Sequence, residues 1–267
     1  MRAPPPAVSF AGRLLAPYRG GMTSLSPMSG PSAAANAGVK AVAETAARAV
    51  AEVAAELKPR MRGWLHAYAA WVSLLGGGTL VVVAALLRGQ LAGWSTAVYA
   101  VTVTLLFGTS ALYHRRGWSP TGHQLMKRLD HSMIFVFIAG TYTPFAALTL
   151  PAVSSVVVLI VVWAGAALGV ALQLAWPDAP RLLAVPLYLA LGWVAVFLLP
   201  QLLHQFGVAT LVLIAAGGLV YTVGALAYWS RRPNPYPSTF GFHEVFHLCT
   251  LVAALCHYVA IWLAVFA

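Results

Sequence analysis

Beyond residue 60 the chain carries only three carboxylates, Asp130, Asp178 and Glu244, in a stretch that is apolar almost without a break from Trp64 to Ala267. A water-soluble fold of that length needs a solvated, charge-bearing surface, whereas a bilayer removes the need. The 267-residue sequence is 60% hydrophobic and 8% charged. An average soluble domain is about 45–50% apolar and about 25% charged. An ordinary soluble globule, a disordered chain and a nucleic-acid binder are therefore excluded, and an all-α integral membrane bundle is expected.

A helix needs about 20 apolar residues to cross the hydrocarbon core. Seven such spans can be drawn, at roughly 64–87, 92–114, 130–150, 154–176, 181–203, 208–229 and 243–266, with Pro, Gly or charge at the breaks. Pro144, Pro186 and Pro200 fall inside spans, where they predict kinks. The cations test the count. The N-terminal segment and the second, fourth and sixth loops hold eight, four, one and two Lys or Arg, fifteen altogether; the opposite side holds Arg88 alone. By the positive-inside rule the N-terminus is cytoplasmic and the C-terminus outside, and only an odd number of spans keeps this alternation. The net charge of +10 is then topogenic and faces anionic lipid heads rather than nucleic acid.

Ahead of the spans, residues 1–35 are rich in Pro, Ala, Gly and Ser and read as a disordered tail, not a signal peptide. Residues 36–60 change character. Asn36 suits an N-cap, Val39, Val42, Ala46, Ala49, Val53 and Leu57 recur at helical spacing, and Lys40, Glu44, Arg48 and Glu52 alternate in sign four residues apart. They predict an amphipathic cytoplasmic helix lying on the membrane or on a partner. The seven-span domain then covers residues 63–267.

Ionisable side chains inside a membrane are costly and are functional candidates by default. His114 ends span two, Asp130 and His131 begin span three, and His243, Glu244 and His247 begin span seven. The topology puts all six at cytoplasmic helix ends, at one depth. His243 and His247 are four residues apart, so both imidazoles project from one helix face, as a metal requires. His114 is at the right height to be a third ligand, with Ser110 one turn earlier on the same face. Three His around Zn²⁺, with water in the fourth position, form the catalytic type of zinc site. The metal lowers the pKa of that water toward about 7, and Asp130 could hold it and take its proton. Direct ligation by Asp130 would instead close the site and make it structural. His66, His123 and His204 read as interfacial side chains, and His257 as a packed or hydrogen-bonded one.

His243-Glu244-Val245-Phe246-His247 also fits H-E-x-x-H, the metalloprotease signature in which the Glu is the base. Downstream of His247 there is only His257 and no acid, so an upstream ligand would have to serve. Cys249 and Cys256 lie about 10 Å apart along one helix, too far for a disulfide, and read as buried thiols.

Taken together, Ser110-Ala-Leu-Tyr-His114, Leu129-Asp130-His131-Ser132, Gly140-Thr-Tyr-Thr-Pro144 and His243-Glu-Val-Phe-His247 resemble the signature of the hemolysin III family, the bacterial branch of the progestin and adiponectin receptor (PAQR) superfamily. Pro59-Arg-Met-Arg-Gly-Trp-Leu-His66 resembles that family's approach to its first helix. The resemblance covers residues 59–267. It implies a seven-helix bundle in a bacterial plasma membrane, with a cytoplasmic N-terminus. It also implies a zinc ion held by His114, His243 and His247 near the cytoplasmic face, with Asp130 and Ser110 around its water. His131 stands where the adiponectin receptors carry an aromatic residue, and could be an extra proton-transfer group or an alternative ligand. Glu244 falls at a position the family leaves variable.

The expected function is a zinc-dependent hydrolase of a lipid amide or ester, ceramidase-like, acting in membrane-lipid homeostasis on a substrate that enters laterally between helices. The alternatives are a non-enzymatic sensor or regulator of membrane state, or a cytolysin, each with structural zinc. An intramembrane H-E-x-x-H protease is a further alternative. Substrate and oligomeric state are not legible in the residues.

Overall fold

The structure is a computed structural model in which residues 33–56, 59–176 and 181–267 are described. The tail expected over residues 1–35 falls almost wholly outside that range, as do Pro177 and Asp178. Among the described residues there are helices and no strand. In chain order they are α1 (Ala33–Glu56), α2 (Trp64–Arg88), α3 (Gln90–Arg115), α4 (Pro120–Thr149), α5 (Ala152–Ala175), α6 (Arg181–Trp193), a 3₁₀ turn (Val194–Leu198), α7 (Leu199–Ser230) and α8 (Phe242–Phe266). Within α1, Val39 and Val42 are exposed, and Thr45 bonds back to the Ala41 carbonyl.

Among the described residues six stretches are long and apolar enough to cross a membrane, and the longest, Leu183–Ser230, has 48 residues. At about 1.5 Å per residue it would reach roughly 72 Å, more than twice the hydrocarbon thickness. It is broken at Gly207, whose φ of 75° and ψ of −178° are not helical and suit a residue without Cβ. The indole of Trp193 donates to the Thr222 hydroxyl at 3.1 Å. Those residues lie fourteen before and fifteen after Gly207, so the chain doubles back there. The stretch makes two crossings, so the described residues hold seven membrane helices.

Helix ends follow local chemistry. The Ser119 hydroxyl accepts from Gly122 N and Pro120 occupies the first turn, a strong start signal. α4 therefore begins ten residues before the span drawn from hydropathy, and Asp130 and His131 sit in its third turn rather than at its start. Pro144 and Pro186 lie inside α4 and α6. Pro200 opens α7 after the 3₁₀ turn, a place where its missing N–H has no helical partner to lose. Cys249 and Cys256 are free and half-buried.

The centre of the bundle is built by α3 and α4, whose apolar windows are 56% and 61% buried; those of α2 and α5 are 17% buried. Trp71, Leu75 and Leu86 on α2 and Val153 and Leu168 on α5 are exposed, as lipid contact requires. At the core, Tyr99, Val103, Phe107, Phe135 and Phe137 pack with Ile261.

Candidate metal centre

The site is assembled where the chain before α2 meets the chain before α8. Arg60 N donates to Ser238 O and Met61 N to Thr239 O, each at 3.1 Å. α8 is started by Asn234, whose Oδ1 accepts from Phe242 N at 3.2 Å. Glu244 supports the same turn: its Oε2 accepts from Gly241 N at 2.8 Å and its Oε1 pairs with Arg62 Nε. Gly63 turns the chain into α2 at φ 79°. A Cβ at Gly63 would lie 2.8 Å from the Cβ of His114, so only Gly lets the start of α2 press so close to the end of α3.

The helix ends thus joined bring three imidazoles together. One ring nitrogen from each of His114, His243 and His247 lies within 4.8 Å of the others, a cluster that could hold a metal ion. His114 Nε2 and His243 Nε2 are 3.2 Å apart. Asp130 Oδ2 lies 3.9 Å from His114 Nε2, and Ser110 lines a cavity wall with Asp130. His114 and His247 are buried; His243 is half-buried. This cavity, with an empty volume of about 1050 Å³, open mouth included, is lined by His243 and His247 together with Ser110, Asp130 and His131.

One residue behaves differently from its sequence reading. His66, expected at the interface, is buried and lines the same cavity, its ring stacked on His247 at a centroid distance of 3.8 Å. Neither of its ring nitrogens has a protein partner. The available signal was depth: His66 begins α2 at the end of the bundle where α3 finishes and α8 starts. His123 and His204 are exposed. Glu244 is fully buried and is absent from the cavity wall. Both its oxygens are engaged by Gly241 and Arg62, which makes it a helix-start residue.

A second cavity, with an empty volume of about 1080 Å³, lies beside the first among the helices. Its wall is almost wholly apolar, with Phe137, Phe145, Leu198 and Leu202 among the residues that line it. Leu106, Ile134, Tyr188, Phe246 and Thr250 line both cavities, so the polar chamber and the apolar one share a wall.

The sequence profile of the family described as "Haemolysin-III related" matches residues 55–258, and so spans α2 to α7 and most of α8. The chain is 31% identical over 140 residues to the "Hemolysin-3 homolog" of Bacillus subtilis (strain 168), covering 52% of this chain and 65% of that protein. It is 31% identical over 155 residues to the "Hemolysin-3" of Bacillus cereus, covering 58% and 67%. The alignments thus span about two thirds of each relative's length. With a seven-helix membrane bundle and a profile match that takes in every residue of the histidine cluster, the chain belongs to the haemolysin-III related family.

Proposed function

We propose that this protein is a zinc-dependent hydrolase of a lipid amide or ester bond. The observation that carries the reading is the three-histidine cluster, two of whose members line a polar chamber that shares a wall with an apolar one. Tetrahedral Zn²⁺ with Zn–N bonds of about 2.0–2.1 Å sets its ligand nitrogens roughly 3.3 Å apart. The 3.2 Å between His114 Nε2 and His243 Nε2 fits that value, and an all-imidazole donor set suits the metal. Zinc bound there would lower the pKa of a water in its fourth position toward about 7 and polarise a carbonyl oxygen.

The chain's own groups do the rest. Asp130, oriented by the Ser110 hydroxyl, accepts the proton of the attacking water and returns it to the departing amine or alcohol. His131, on the same wall, is an accessory proton-transfer group. The apolar chamber takes the acyl chain and excludes water from it. Trp193 lines that chamber and is 40% exposed to the surroundings, which favours lateral access from the lipid. The fifteen-to-one distribution of cations favours a cytoplasmic N-terminus and a metal centre near the cytoplasmic face of the plasma membrane.

Asp130→Asn is the test. It keeps the three histidines, so metal content should match wild type while hydrolysis of a panel of N-acyl lipids falls by about 10²–10⁴. Full turnover by the variant contradicts the reading. Absence of turnover in both proteins, with unfolding on chelation, favours a membrane-state sensor with structural zinc.

A further inference from the structure

The far end of the apolar chamber is not apolar. His257 on α8 and Tyr221 on α7 both line it, with ring centroids 5.7 Å apart. Each holds one buried polar atom without a protein partner, His257 Nδ1 and the Tyr221 hydroxyl. Such atoms are uncommon in native interiors and call for a water or a ligand. His257 Nε2 is 3.3 Å from the carbonyl oxygen of Ile214. The ring fits because Gly217 has no side chain: a Cβ there would lie 2.5 Å from Nε2.

The Ile214 carbonyl can only accept, so in the neutral ring Nε2 carries the proton and Nδ1 is left as an acceptor. Tyr221 supplies a hydroxyl that can donate. An acceptor beside a donor matches an alcohol, which gives one hydrogen and takes another. A ketone could satisfy Tyr221 but has no hydrogen for Nδ1, and a bare alkyl chain satisfies neither. His257 lies ten residues beyond His247 on one continuous helix, which is about 15 Å, or the reach of roughly a dozen extended chain carbons.

We infer that His257 and Tyr221 form a hydrogen-bonding subsite for the hydroxyl of an acyl chain oxygenated near its middle. The inference rests on the chamber being the acyl pocket of the proposed hydrolase. It concerns binding alone, so the two readings fail separately: a lost hydroxyl preference with hydrolysis intact removes only this subsite, and the reverse removes only the enzyme.

The test titrates the full chain in nanodiscs with free fatty acids, which cannot be hydrolysed. The three probes are stearic acid, its hydroxy derivative substituted about twelve carbons from the carboxyl, and the matching oxo acid. The hydroxy acid should bind wild type at least about fivefold more tightly than either of the others. That ratio should fall toward one in Tyr221→Phe, which removes a single oxygen, and in His257→Leu. Loss in one variant alone assigns the preference to that group. Equal binding of the three acids by wild type, or a preference that survives both substitutions, overturns the subsite and leaves the pair to an ordered water.

Discussion

α3 and α4 at the centre of the bundle differ from α2 and α5 at its edge in a way that reverses the rule for soluble proteins. The outer helices are the more uniformly apolar pair, with exposed Trp71, Leu75, Leu86, Val153 and Leu168. The buried helices carry the polar groups: Ser95, Thr96, Thr102, Ser110 and His114 on α3, and Asp130, Ser132, Thr141 and Thr149 on α4. Lipid tails are as apolar as leucine, so hydrophobicity does not draw a helix inward here. Close packing and the satisfaction of polar groups do. In this molecule the polar residues therefore mark the inside, and the metal centre is the extreme case.

The contrast can be broken by substitution, with stability read from unfolding in mixed micelles. Phe135 on α4 is 2% exposed, and Phe135→Ala should cost about 3–5 kcal/mol through the cavity it leaves. Leu86→Ala on α2, at 79% exposure, should stay within about 0.5 kcal/mol. Comparable losses at the two positions would dissolve the distinction between centre and edge.

Glu244 sharpens it at the polar end. Glu244→Gln removes the charge that Arg62 meets and weakens the start of α8, so stability should fall by about 1–3 kcal/mol. Metal content and turnover should stay near wild type. Turnover abolished in a folded, metal-loaded Glu244→Gln protein would instead restore the H-E-x-x-H protease.

Two glycines give a contrast of similar size. A Cβ at Gly169 would lie within 2.6 Å of a Phe135 ring carbon, whereas one at Gly78 would meet nothing within 4 Å. Gly169→Ala should cost about 1–3 kcal/mol by overpacking. Gly78→Ala should be neutral or stabilise by up to about 1 kcal/mol, the helix-propensity difference.

Much of this could be read from residues alone where the signal is local or periodic. Seven spans follow from twenty-residue apolar runs, and the pairing of His243 with His247 follows from the helical repeat. Depth brought His114 beside them. What escaped depended on through-space packing. His66 looked like one more interfacial histidine because nothing in its neighbours announces that Gly63 lets α2 press against α3. Asp130 was placed at a helix start because hydropathy cannot see the Ser119-Pro120 signal ten residues earlier. Glu244 sits in a catalytic motif by spelling, and only its contacts with Gly241 and Arg62 give it another task. The apolar chamber is made by side chains from several helices, and no single segment encodes it.

The central claim is that His114, His243 and His247 hold one zinc ion. Metal content by inductively coupled plasma mass spectrometry, on wild type beside His243→Ala purified in the same detergent, tests it most directly. The account predicts about one zinc per wild-type chain and near none in the variant. Wild-type protein without stoichiometric zinc, or a variant that keeps it, would contradict the site.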